Sequence, residues 1–101
     1  MFIAFIPINA AAATEPNVSD NFYIVDDGDK TVYRVNPETG TKTAVIDVSS
    51  DFTNWVRDVA VTDDGNYAAV AGSEGVALYD LSSNSKLWQV NPNSYANHVN
   101  I

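Results

Sequence analysis

The hydrophobic pattern is clearest from Arg57 to Val90, RDVAVTDDGNYAAVAGSEGVALYDLSSNSKLWQV. Apolar residues here come in short alternating runs, broken by the turn clusters DDGN, GSEG and SSNS. Alternation with a period of two, bounded by Gly, Asn, Asp and Ser, predicts β-strands. The runs give strands at Val56–Thr62, Tyr67–Ala71, Val76–Leu81 and Lys86–Val90. Earlier in the chain, Asn21–Asp26, Thr31–Asn36 and Thr41–Ser49 read the same way. They are joined by Asp27-Gly28-Asp29-Lys30 and by Pro37-Glu38-Thr39-Gly40, where proline fixes φ and glycine is free to take a positive one. After Asn91-Pro92-Asn93-Ser94, a further alternation runs from Tyr95 to Ile101. The fold class predicted is all-β.

These runs repeat. A shift of 44 sets Tyr23 on Tyr67, Val25 on Ala69, Gly28 on Gly72, Val32 on Val76, Lys42 on Lys86 and Ile46 on Val90. A shift of 40 sets Val59 on Val99 and Val61 on Ile101. The two DDG triplets, Asp26–Gly28 and Asp63–Gly65, are not equivalent, because their spacing would lay a turn on a strand. Four strands in a unit of about 40–44 residues is the period of a β-propeller blade. A β-sandwich or meander is the alternative use of such strands.

The residues also carry a family resemblance. VRDVAVTDDGNYAAVAGSEGVALYDLSSNSKLWQV resembles blades of prokaryotic WD40-like and quinoprotein-like propellers, and FYIVDDGDKTVYRVNPETG is similar to NHL-type or lactonase-like repeats. The resemblance covers 22–101 and implies a scaffold of about two blades, with no cofactor and no catalytic set carried over. A WD dipeptide is absent, and Leu87-Trp88 stands in the last strand. With blade strands labelled A to D from the channel outwards, 22–49 supplies B, C and D, 56–90 supplies all four, and 95–101 supplies one further A. Two arrangements fit: a fragment of a longer propeller, or identical chains that each lend the final strand to a neighbour, as in small sugar-binding propellers.

Ahead of the repeats, 1–13 (MFIAFIPINAAAA) has the apolar run and alanine-rich end of a signal peptide, without a basic start. Residues 14–21 read as a linker, and the apolar run is too short to span a bilayer. The expected location is the cell exterior or surface.

Charge narrows the partners. Thirteen Asp and Glu stand against five Lys and Arg, a net of -8, and the basic residues are scattered singly. Nucleic acid is disfavoured, because neutralising phosphates takes clustered cations. No cysteine is present, which removes disulfides, thiolate metal sites and cysteine nucleophiles.

Candidate chemistry is sparse. Antiparallel strands place the B–C and D–A turns on one edge, which collects Asp27, Asp29, Asp51, Trp55, Ser73, Glu74 and Asn93. Of these, Asp27, Asp29, Trp55 and Glu74 are the candidate binding residues, an acidic rim with an aromatic; the plain alternative is a set of solvated turns. The DDGD run lacks the spacing of a calcium loop. His98 is the only histidine, so a histidine metal cluster within one chain is excluded. Gly72-Ser73-Glu74-Gly75 lacks the lysine and helix of a phosphate loop, and no nucleophile elbow occurs. Trp55, Trp88, Tyr23, Tyr33, Tyr67 and Tyr79 are expected in the core between blades. The function expected is a non-catalytic propeller scaffold presenting loops to a protein or a saccharide. Part of a propeller hydrolase, lyase or quinoprotein-like enzyme, and a self-assembling lectin, are the alternatives.

Overall fold

Among the described residues seven strands form, each where apolar and polar residues alternate between turn clusters: β1 (Phe22–Asp26), β2 (Thr31–Val35), β3 (Lys42–Asp47), β4 (Val56–Val61), β5 (Tyr67–Gly72), β6 (Gly75–Asp80) and β7 (Ser85–Val90). The computed structural model describes residues 22–101. The expected signal peptide and linker, 1–13 and 14–21, lie outside the described residues.

The strands make two antiparallel sheets, ordered β1-β2-β3 and β4-β5-β6-β7. Within each sheet, strands consecutive in sequence pair, as short hairpin connections require. Among the described residues no helix is long and apolar enough to cross a membrane.

Hairpin chemistry follows the turn residues. Two residues, Ser73 and Glu74, separate the paired Gly72 and Gly75, and Gly75 alone in this turn has positive φ, at 88°. The register runs unbroken into this two-residue turn, and glycine takes the positive φ at its exit at no steric cost.

Side-chain alternation decides which face each sheet buries. From the first sheet, Val32 and Ile46 are buried, with Tyr23 and Val25 packed beside them. The second sheet contributes Val70, Ala77 and Tyr79, with Val59 alongside. Val48, Phe52 and Val56, on and after the connection between the sheets, complete this shared core. The closest approach of the sheets is where β1 runs beside β4. Of the aromatics expected in the core, Tyr79 is buried and Tyr23 packs against it. Tyr67 and Trp88 are instead exposed, at 38% and 46%, because they alternate onto the far face of the second sheet.

One predicted strand does not form. Residues 95–101 carry the alternation but have no ladder. A strand needs a neighbour to take its backbone hydrogen bonds, and among the described residues this segment has none. It meets the end of β5 and the start of β4 instead, with Ala96 N–H donating to the Gly72 carbonyl (2.9 Å) and Val99 N–H to Asp58 Oδ2 (3.0 Å).

Candidate functional site

The edge that collects the candidate residues is built around the 48–55 connection, which folds over the β5–β6 hairpin. Phe52 is its plug: fully buried, with its ring against Gly72. A Cβ at Gly72 would lie 2.7 Å from that ring and 2.5 Å from the Trp55 carbonyl oxygen, so only glycine admits the connection this closely. Ser73 then clasps Trp55 in both directions. Its N–H donates to the Trp55 carbonyl (2.9 Å) and its Oγ accepts from Trp55 N–H (3.2 Å).

Three of the four candidates are drawn into this closure. Glu74 accepts from Thr53 N–H (3.2 Å) and from the Thr53 and Ser73 hydroxyls. Those bonds, Ser73 first and Thr53 next, hold its carboxyl below the usual glutamate range. Asp27 reaches from the first sheet to the second, accepting from Val56 N–H (2.9 Å). Trp55 is half-buried between them. Asp29 stays within its own hairpin, accepting from Thr31 N–H (3.1 Å) and the Tyr33 hydroxyl, which raises the Tyr33 pKa.

The acidic rim is therefore largely committed to turns. Asp26, Asp29, Asp47, Asp64 and Asp80 each accept from a backbone N–H two residues on. This is the Asx-turn habit of short carboxylates. Among the described residues no three His, Asp or Glu gather as metal ligands.

Asp51 ties the connection to the outer strands. It accepts from the Tyr79 hydroxyl (2.8 Å) and from Lys86 Nζ (2.9 Å), while Gln89 Nε2 donates to the Asp51 and Glu74 carbonyls (3.2 and 2.8 Å). Burial, then the Asp51 contact, pushes the Tyr79 phenol well above its ordinary range, so it remains a donor at all physiological pH.

What remains unengaged is aromatic and cationic. The Trp55 and Tyr95 rings stand 5.9 Å apart, tilted by 53°, and the Arg57 guanidinium lies 4.5 Å from the Trp55 ring centroid. Tyr95 is 69% exposed. Arg57 was not a candidate from sequence. It is the extra residue of a bulge, since β4 pairs Val56 with Gly72 but Asp58 with Ala71. The bulge breaks strict alternation and re-aims its side chain. Tyr95 reads in the sequence as a strand residue; the signal that could have placed it here is that the shift of 40 sets it on Trp55.

No family model matches the chain, nor does any curated protein or solved structure.

The Glu74 cluster gives a pH prediction. Its folded pKa lies below the ordinary 4.5, so its contribution is present above that value and lost as pH falls through the folded one. Glu74→Gln should flatten the acid limb of stability, followed by denaturant midpoint against pH. The Thr53 amide should exchange faster in this variant even at neutral pH.

Proposed function

We propose that the two sheets are consecutive blades of a propeller scaffold, exported or surface-associated, and that the scaffold binds a protein through the Trp55–Arg57–Tyr95 edge. Repeated contacts support the blade reading. Under the shift of 40, Val56 corresponds to Ala96 and Trp55 to Tyr95. Val56, at the start of β4, donates to Asp27 in the β1–β2 turn, and Ala96, at the start of the segment aligned with β4, donates to Gly72 at the mouth of the β5–β6 turn. Under the shift of 44, Asp27 and Gly72 lie within one residue of equivalence.

The choice of partner rests on one observation: the carboxylates of this edge accept from amides and hydroxyls of its own turns, while Trp55, Tyr95 and Arg57 stack on one another at its surface. A saccharide site needs free polar groups for hydroxyls and an open aromatic face, and here Arg57 covers Trp55. Trp, Tyr and Arg are the residues on which protein interfaces concentrate their energy.

Tyr95→Ala tests this directly, because a side chain 69% exposed can be removed without disturbing the core. Immobilised protein should capture a partner from cell-surface extract, and the variant should lose at least about tenfold in affinity, a hot-spot loss of roughly 1.4 kcal/mol or more. Capture unchanged in both Tyr95→Ala and Arg57→Ala would place the contact elsewhere. Binding on a glycan array, with none to protein, would replace this reading with a saccharide one.

A further inference from the structure

Among the described residues, the second sheet leaves part of an apolar face exposed, and the chain contains a close counterpart of what would cover it. The pairings Ala69–Leu78 and Ala71–Val76, then Leu78–Trp88 and Val76–Val90, put these residues on the side away from the first sheet, where Ala69 and Ala71 are buried and the exposed part lies towards β7. Trp88 and Val90 are 46% and 47% exposed, and Tyr67 shares the face at 38%. Under the shift of 44, Tyr67, Ala69, Val76 and Val90 correspond to Tyr23, Val25, Val32 and Ile46. Those four are the residues by which the first sheet packs on the second. The far face of the second sheet thus repeats a face that is already an interface in this molecule.

The segment 95–101 repeats β4 in the same way, but only half of its relations are present. β4 makes two: it lies beside β1 of the preceding sheet, and it pairs edge-on with β5. The segment 95–101 makes the first, through Ala96 to Gly72 at the end of β5. The second is open. Its counterpart is open too: β1, the equivalent of β5, has no strand on its other side among the described residues. The outer face of that first sheet is apolar at the same edge, with Phe22 and Ile24 50% and 41% exposed.

We infer that a second copy of this chain docks head-to-tail on the far face of the β4–β7 sheet, and that residues 95–101 of one copy pair with β1 of the next. One copy satisfies both vacancies at once, and the internal interface supplies the geometry. The contact joins unlike surfaces, so it propagates from copy to copy and ends only if the ring closes. Register follows from β4 and β5. Val61 opposite Ala68 becomes Ile101 opposite Ile24, and Val59 opposite Val70 becomes Val99 opposite Asp26. This inference rests on the repeat correspondence used above, but not on the binding edge.

The natural chain has no cysteine, so paired cysteines give a clean test. The full chain carrying Ile24→Cys and Ile101→Cys should oxidise to disulfide-linked multimers under native conditions, and the link should fail to form in denaturant. Ile24→Cys with Asn100→Cys should link far less, since neighbours in a strand point to opposite faces. Unmodified protein should sediment as a multiple of the chain mass, and deletion of 95–101 should reduce it to single chains. A single-chain mass for the unmodified protein with no interchain link overturns the inference, as does a disulfide closed within one chain. In either case, slow amide exchange across β4–β7 would show the repeat sheet intact, so the loss would fall on self-assembly alone. Equal linking in both cysteine pairs would also overturn it, by showing contact without register.

Discussion

Phe52→Ala should be the most damaging single truncation in the chain. The ring is fully buried and fills the junction between the connection, Gly72 and the shared core. Removing a buried phenylalanine costs about 3–5 kcal/mol, in lost transfer energy and in the cavity left behind. A domain of this size has only roughly 5–15 kcal/mol in total. Urea denaturation should show the midpoint fall by a third or more, with Phe52→Leu recovering most of it. A midpoint unchanged within error would mean that the connection does not plug the core.

Gly75→Ala should come second, through the backbone rather than the core. The residue holds φ at 88°, and its added Cβ would overlap the carbonyl oxygens of Val90 and Asn91. The left-handed conformation costs about 1–2 kcal/mol for an L-residue, and the overlap should add a similar amount. Gly40→Ala is the control, since φ there is 73° and nothing lies within 4 Å of the new Cβ. It should show the conformational cost alone. The difference in denaturant midpoint between the two variants then measures the crowding at the β6–β7 exit.

The strands were legible because their alternation is local. Val32, Val70 and Ala77 reach the core where a period of two places them, and glycine or asparagine marks the turns. Position in a sheet is not local. Trp88 has the pattern of a core residue, yet it faces outward because the number of sheets stacked on β7 is not written in β7. Alternation at 95–101 was equally visible, but a ladder depends on a second strand that no local pattern guarantees. At the candidate edge, a count of acids predicted a charged rim. The structure spends Asp27 and Glu74 on backbone amides of the connection, a use that depends on which loops meet. Arg57 was hidden for a further reason. Strict alternation from Val56 would send Asp58 inward with it, and the bulge that turns Asp58 outward has no glycine to announce it.

Strand order in both sheets is simply chain order. Each strand therefore finds its partner within one hairpin, and little chain entropy is lost in closing each loop. During synthesis, the three strands of the first sheet have emerged once β3 has, before β4 does. The second grows by one hairpin at a time against a surface already in place. The nascent chain thus carries an exposed Val25–Val32–Ile46 face only for the interval needed to make the next strands, and the order of synthesis itself limits how long that face is open to other chains.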